Sequence, residues 1–205
     1  MQQVAKWARA ATVDKPDNLS FAILTAMAYS PTALADADMF VDLLGKARRL
    51  APNNAFVLQA LEAGYGAQTK YDDAIAVLTK AIEINPKASG AYTNLGVAYL
   101  KKGEHSKALA AMKKAVEVNE NDGMAWFNLR SYHAERAPLR EARESLEKAV
   151  DLCPNLLEAR WNLGGVYFKS GERTKAVQQL KEMIKIAPDS PMGRQASSML
   201  QRLGE

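Results

Sequence analysis

The sequence has little from which a catalytic or metal centre could be built. Its 205 residues include only one cysteine, Cys153, so an internal disulfide framework is excluded. There is no glycine-rich phosphate loop, no GxSxG turn and no CxxC pair. The two histidines, His105 and His133, lie on different predicted helices, and we interpret both as structural side chains. These absences predict a protein that is not an enzyme and that uses no cofactor and no metal ion.

Long apolar runs and a strong charge of one sign are missing as well. No apolar run reaches roughly 18 residues, which predicts no transmembrane helix and no membrane insertion. The N-terminus has neither a long apolar core nor a cleavage signature, so no signal peptide is predicted. The 27 Lys and Arg residues are scattered among 23 acidic residues, and the net charge is only +4. This distribution favours an ordinary solvated surface, so no nucleic-acid partner is predicted.

What the sequence does contain is a period of 34 residues. One alanine slot recurs at this spacing at Ala74, Ala108, Ala142 and Ala176. An asparagine slot recurs in the same way at Asn94, Asn128 and Asn162. A fixed period of this length decides the fold more firmly than local propensity does. It predicts four regular repeats, namely 55–88, 89–122, 123–156 and 157–190.

Each repeat is predicted to consist of two helices joined by a turn. In repeat 89–122, Leu95 and Tyr99 share one helical stripe, and Gly103 ends that helix. Gly96 is small where the two helices must cross, because a bulky residue there would cost about 1–3 kcal/mol. A helix pair of this kind cannot bury its apolar face alone, so stacked pairs that form a solenoid are predicted.

The repeat resembles the tetratricopeptide repeat (TPR). Residues 157–190 are similar to the family pattern at Trp161, Leu163, Gly164, Tyr167, Gly171, Ala176, Leu180 and Pro188. The resemblance extends over nearly the whole chain at constant spacing. It implies an all-α fold, a right-handed superhelical TPR solenoid of antiparallel helix pairs with a C-terminal capping helix. It also implies a protein–protein interaction module or scaffold.

The segments outside the regular repeats complete a single predicted TPR array over residues 1–205. Residues 2–16 are predicted as a half-repeat with a helix over 2–13. We interpret it as the remainder of a longer chain, and a native half-repeat cap is the alternative. An exposed end helix of this kind would also allow self-association, by stacking on another copy.

The two remaining segments flank the regular repeats. Residues 17–54 are predicted as an irregular repeat, whose first helix is capped by Asn18 or Ser20. Residues 191–203 are predicted as the capping helix, with Ser190 as its N-cap. By resemblance, this last helix would cover the apolar face of the final pair.

In TPR arrays the first helices of successive repeats line a concave groove, in which a partner peptide or helix binds. By this resemblance, the groove residues are Phe56, Gln59, Ala63, Gly90, Thr93, Val97, Met124, Phe127, Ser131, Glu158, Trp161 and Gly165. Chaperone-binding TPR proteins carry a lysine and asparagine clamp at set places on these helices. That clamp is absent here, so binding of an acidic C-terminal tail is not expected.

Three sets of residues are predicted to bind the partner peptide. Asn94, Asn128 and Asn162 are similar to the asparagine ladder of the O-linked N-acetylglucosamine transferases, and a carboxamide has both a donor and an acceptor for a peptide backbone. The predicted apolar and aromatic anchors are Leu100, Met124, Phe127, Trp161 and Phe168. Lys101 and Lys169 would favour an acidic segment. In the alternative, the asparagines bond to a neighbouring repeat and the aromatic residues pack in the core.

Other functions stay open at this point. The chain is alternatively the substrate-recruiting portion of a larger enzyme such as a glycosyltransferase, or a self-associating structural scaffold. Arg130 stands where the family has glycine, and its charge is expected to point towards Glu141 or Glu144. We interpret Arg130 as a sign of a slightly splayed helix pair, with a hinge or a ligand contact as the alternative.

Overall fold

The computed structural model describes residues 18–30, 36–136 and 139–205, without the side chains of residues 131–136. All regular structure in these ranges is α-helical. The helices are α1 (Leu19–Ala28), α2 (Ala37–Leu50), α3 (Ala55–Ala67), α4 (Tyr71–Ile84), α5 (Ser89–Lys101), α6 (His105–Val118), α7 (Gly123–Arg136), α8 (Leu139–Leu152), α9 (Leu157–Lys169), α10 (Arg173–Ile186) and α11 (Pro191–Leu203). Within these ranges, no helix is both long and apolar enough to cross a membrane. The predicted helix over 2–13 lies outside the described residues.

Within each of two units of the chain, helices pack against the helices that precede and follow them. The contacts divide the chain between Glu104 and His105 into an N-terminal half, with α1–α5, and a C-terminal half, with α6–α11. Nearest-neighbour packing of this kind is what stacked helix pairs require, and it confirms the predicted all-α fold within each half. The right-handed superhelix and the capping role of α11 stay predictions.

The first and last described helices begin at capping side chains. Asn18 Oδ1 accepts a hydrogen bond of 3.1 Å from a backbone N–H one turn later, so Asn18 rather than Ser20 caps α1. Ser190 Oγ accepts a bond of 2.9 Å from the N–H of Gly193. Pro191 occupies the first turn of α11, where its missing N–H costs nothing. The predicted start of α11 is therefore confirmed.

Three turn residues at equivalent places share a left-handed backbone conformation. Gly103 and Gly171 both have φ 78°, and Thr69 has φ 57°. Thr69 precedes Gly103 by one period of 34 residues, and Gly171 follows Gly103 by two. Glycine adopts this conformation without steric cost, whereas the Cβ of threonine makes it unfavourable. The turn geometry thus recurs even where the sequence lacks the residue that suits it.

Each half has its own hydrophobic core. In the N-terminal half, Leu44 and Leu61 are fully buried in a cluster formed by α1–α4. In the C-terminal half, one cluster surrounds Leu146 of α8. A second cluster joins Met183 of α10 to Leu200 of α11. Because α11 contributes apolar side chains to this second cluster, it packs directly on α10.

Close approach between helices depends on glycine at some positions and not at others. At Gly64, an added Cβ would lie 2.6 Å from Cγ2 of Val41, so even alanine would be too large there without a shift. At Gly164, in the slot of Gly96, an added Cβ would lie 3.7 Å from the carbonyl oxygen of Ala176. This is an ordinary contact distance, so alanine fits the Gly164 position.

Candidate peptide-binding site

A crevice lies between α3 and α5 in the N-terminal half, and α4 contributes to its wall. It contains a first cavity of about 280 Å³. Most of the lining is aliphatic and comes from all three helices, for example from Leu58, Leu78 and Ala91. The polar side chains that line it are Gln59, Glu62, Asn85 and Asn94. A concave apolar surface with a few polar groups is the usual character of a binding site.

A second cavity, of about 210 Å³, lies farther along α5 towards its C-terminal end. Val97 and Lys101 of α5 line it, together with Tyr71 of α4. Glu62 and Asn94 line both cavities, so this pair of side chains lies where the two cavities meet. The pair is therefore accessible from both cavities.

Glu62 and Asn94 are joined by a hydrogen bond between α3 and α5. The Nδ2 atom of Asn94 donates to Oε2 of Glu62 at 3.2 Å. Burial raises the pKa of Glu62 above its usual value of 4.5, and the bond from Asn94 opposes that shift in part. A carboxylate held partly away from water without an opposite charge is unfavourable. Glu62 is thus a group whose environment favours a cationic partner.

Several residues predicted to face the groove do line these cavities, namely Gln59, Gly90, Asn94, Val97 and Lys101. Thr93 does not, because only 6% of it is exposed. Thr93 and Gly96 are one helical turn apart and both belong to the buried stripe of α5. The prediction that Thr93 faces the groove is therefore wrong. Leu100 is half-buried and lines neither cavity.

The predicted anchors of the C-terminal half differ in exposure. Met124 on α7 is 46% exposed. Phe127 packs against the core cluster around Leu146, whereas Trp161 packs against the cluster that contains Met183. Phe168 contacts both clusters, and Lys169 is exposed at the end of α9. The aromatic side chains thus contribute to the core and are only partly exposed.

The three asparagines of the recurring slot do not share one bonding arrangement. Asn94 bonds to Glu62 on the preceding helix pair, as the alternative interpretation expects for this residue. Asn128 donates from Nδ2 to the carbonyl oxygen of Met124 in its own helix at 2.8 Å. Asn162 is half-buried, and its side chain forms no hydrogen bond with the described residues. A role for all three in holding a peptide backbone stays a prediction.

Charged side chains of the C-terminal half form a network that includes a buried tyrosine. Arg143 contacts Glu147 at 2.7 Å and Glu172 at 2.8 Å. The hydroxyl of Tyr167 donates to Glu147 at 2.8 Å. Burial, together with the bond to this carboxylate, raises the pKa of Tyr167 to about 12. Among the described residues, no group of three or more His, Cys, Asp or Glu side chains is placed to hold a metal ion.

A family model for the tetratricopeptide repeat matches residues 66–131 and 139–202, which is more than half of the chain. The chain belongs to the tetratricopeptide repeat family. Its fold is also similar to that of solved TPR proteins. Because the sequence identities are low, this likeness establishes the fold alone. No curated protein sequence matches the chain.

Three solved structures illustrate the likeness. MamA is 25% identical in sequence to this chain. The match covers 77% of this chain and 92% of the MamA chain, with a TM-score of 0.65. TTC0263, a thermophilic TPR protein in Thermus thermophilus, is 20% identical, covers 90% and 100%, and has a TM-score of 0.69. YrrB, described as a TPR protein with an unusual peptide-binding site, is 23% identical, covers 95% and 99%, and has a TM-score of 0.61.

One residue of the match between repeat 157–190 and the TPR pattern is out of register. The period places Arg160, not Trp161, in the slot that holds Trp126. Nε1 of Trp126 donates to the carbonyl oxygen of Glu120 at 2.9 Å, and Nε of Arg160 donates to that of Pro154 at 2.6 Å. Both bonds span six residues, so Arg160 reproduces the bond of the aromatic residue. The match of Trp161 to the family pattern is therefore displaced by one residue, and Arg160 occupies that position of the repeat.

Sequence reasoning missed Glu62, the central residue of the TPR crevice. Glu62 occupies the slot of Gly96, Arg130 and Gly164, in which the family has glycine. An acidic residue at a position where the family has glycine is a departure that could have marked Glu62 as a candidate site residue. Its meaning became clear only from the two cavities and from the bond to Asn94.

Proposed function

We propose that this TPR chain is a non-catalytic protein-interaction module that binds an extended or helical segment of a partner protein. The observation that carries the proposal is the crevice between α3 and α5, with its aliphatic first cavity and the Glu62–Asn94 pair. A preformed apolar concavity with a few oriented polar groups binds a peptide with little ordering cost on the receptor side. The description of YrrB, a TPR protein with a peptide-binding site, supports a ligand of the same class.

Each part of the crevice has a proposed role. An apolar side chain of the partner enters the first cavity, where Leu58 and Leu78 would contact it. Asn94 keeps its Oδ1 atom available as an acceptor for a peptide N–H, and Lys101 lies at the second cavity as a charged contact.

The C-terminal half contributes its own proposed contacts. The exposed parts of Met124, Phe127, Trp161 and Phe168 are the apolar anchors. Asn128, Asn162 and Lys169 are the polar contacts.

Gly90 offers a way to close the first cavity without disturbing the core. It lines the cavity, and a Cβ added to it would meet no atom within 4 Å. Gly90→Leu therefore places a large side chain in the crevice on a helix that still folds. Gly45→Leu is the matched control, because an added Cβ at Gly45 in α2 also meets nothing and Gly45 lines neither cavity.

The test begins with peptides selected from a random display library on the immobilised chain. The affinity of the selected peptides is measured by calorimetry for the unchanged chain and both variants. We expect Gly90→Leu to weaken binding by about tenfold or more, because the leucine takes space that the partner's apolar side chain would fill and overpacking of that kind costs about 1–3 kcal/mol. Gly45→Leu should leave binding unchanged. A library without binders, or binders that are indifferent to Gly90→Leu, would overturn the proposal for this crevice.

A further inference from the structure

We propose that the crevice between α3 and α5 selects a peptide segment in which an aliphatic side chain lies next to a lysine or arginine. The aliphatic side chain fills the first cavity, and the cationic group pairs with Glu62 where the two cavities meet. This inference rests on the proposed function and adds the chemistry of the ligand to it.

The first cavity has a mostly aliphatic lining that includes a single acidic group among its described residues. Among the described residues that line it, Glu62 is the one with a formal charge. Leu58 and Leu78 make the neighbouring wall aliphatic. Charges buried beside apolar surface are stable only when they are paired and hydrogen-bonded. A cation delivered by the ligand would provide that pairing, whereas a ligand carboxylate would be repelled.

The hydrogen bond of Glu62 within the chain uses only part of its capacity as an acceptor. A carboxylate has about four acceptor positions. The described residues supply Glu62 with one donor, Nδ2 of Asn94 at 3.2 Å. That bond holds Oε2 towards α5 and leaves Oε1 available to a lysine ammonium or an arginine guanidinium. The Glu62–Asn94 pair then presents two acceptors, Oε1 of Glu62 and Oδ1 of Asn94, so it favours a ligand with several N–H donors.

Lys101 limits where the cation can lie. It lines the second cavity together with Glu62, so a ligand cation in that cavity would face a like charge. The first cavity contains no such charge among its described lining residues. The basic side chain therefore approaches Glu62 from the side of the first cavity. The predicted preference of Lys101 for an acidic segment then concerns the part of the ligand that lies in the second cavity.

The test uses peptides selected from a random display library, with the unchanged chain and two variants as baits. Glu62→Gln keeps an acceptor for Asn94 and removes the charge. Asp73→Asn is the matched control, because Asp73 is an exposed acid of α4 that lines neither cavity. We expect Lys or Arg next to an aliphatic residue among the peptides selected by the unchanged chain and by Asp73→Asn. The Glu62→Gln bait should lose this basic preference.

Calorimetry on one selected peptide then measures the pair directly. Replacing its basic residue by glutamine should weaken binding about tenfold to the unchanged chain and have little effect on Glu62→Gln. A peptide with glutamate in place of the basic residue should bind best to Glu62→Lys. All peptides are acetylated, and a free-amine version without the basic residue tests the other source of a cation. Preference for the free N-terminal amine would contradict the proposal.

The two proposals fail in different ways. Selected peptides that are sensitive to Gly90→Leu but contain no basic preference would overturn the choice of ligand and leave the binding crevice in place. Absence of binders, or binders unaffected by Gly90→Leu, would overturn the crevice and the choice of ligand together. Circular dichroism of each variant confirms that the helices are retained before affinities are compared.

Discussion

The side-chain amide of Asn94 donates a hydrogen bond of 3.2 Å to the carboxylate of Glu62, and this bond joins α3 to α5. The asparagine was predicted as a peptide contact, and one of the two N–H donors of its amide is already used within the chain. The pair keeps Oε1 of Glu62 and Oδ1 of Asn94 as acceptors, and the first of these belongs to a charged group. We therefore expect a ligand that brings N–H donors to a charged acceptor, rather than a backbone held by a neutral carboxamide alone.

Glu62→Gln should stabilise the free chain near neutral pH while it removes the proposed cation selectivity. Burial raises the pKa of Glu62 in the folded state above its usual 4.5. The folded chain then binds this proton more tightly than the unfolded chain, so stability falls as pH rises through the interval between the two pKa values. The stability gained by Glu62→Gln over the unchanged chain should accordingly be largest above that interval and shrink below pH 4.5.

Urea unfolding at a series of pH values measures this difference. Asp73→Asn serves again as the control for loss of one acidic residue. Equal stability of Glu62→Gln and the unchanged chain at every pH would mean that the carboxylate is well solvated and that its burial has no energetic consequence.

Thr69→Gly should stabilise the turn between α3 and α4. Thr69 has φ 57°, in the left-handed region where a residue with a Cβ is unfavourable by about 1–2 kcal/mol. Glycine loses more backbone entropy on folding, which offsets part of that gain. The expected net gain in unfolding free energy is about 0.5–1 kcal/mol, measured by urea denaturation. Gly171→Thr at an equivalent turn, with φ 78°, should lower stability by a similar amount, and a gain there would contradict the argument.

Tyr167→Phe should destabilise the C-terminal half by about 0.5–1.5 kcal/mol, because it removes the hydrogen bond of 2.8 Å to Glu147. The pKa of Tyr167 is raised to about 12, chiefly by burial. A raised pKa in the folded state means that this stabilisation is present below the unfolded pKa and is lost as pH rises towards 12. Absorbance titration should show one phenol that ionises near pH 12 and is missing from Tyr167→Phe. If the highest-titrating phenol persists in the variant, the assignment to Tyr167 fails.

Arg130→Met should stabilise the chain by about 1 kcal/mol. The Nε atom of Arg130 is buried and has no hydrogen-bond partner in the part of the chain that the structure describes. Burial lowers the pKa of this guanidinium, and Glu144, one of its two expected partners, pairs with Arg140 instead. Methionine keeps much of the apolar stem and removes the unpaired donor. Arg140→Met, at an exposed ion pair, is the control and should change stability little. A loss of stability in Arg130→Met would show that the charge has a structural role.

Much of the fold could be predicted from the repeating sequence. The 34-residue spacing of small and apolar residues predicts helix pairs, because only one face of each helix needs to be apolar in a stack. Asn18 and Ser190 mark helix starts by local chemistry, since a cap bonds to a backbone N–H one turn away. Interactions of this short range are contained in the order of the residues, and they were predicted with little error.

The candidate site could be predicted only in part, because it depends on how each helix is rotated about its axis. Thr93 and Asn94 are neighbours in the chain, yet one is buried and the other is exposed and lines both cavities. Which of two adjacent residues is buried depends on the rotation of the helix about its axis. Packing against adjacent helices sets that rotation, and residue spacing does not specify it.

The sequence by itself thus determined the helix pairs, their period and their membership of the TPR family. The tertiary structure alone decided that Glu62 meets Asn94 across 32 residues and that two cavities adjoin them. Local propensity and periodicity act within one helix pair and can be read along the chain. A contact between side chains of different pairs depends on the packing of all the residues between them, which exists only once the chain has folded.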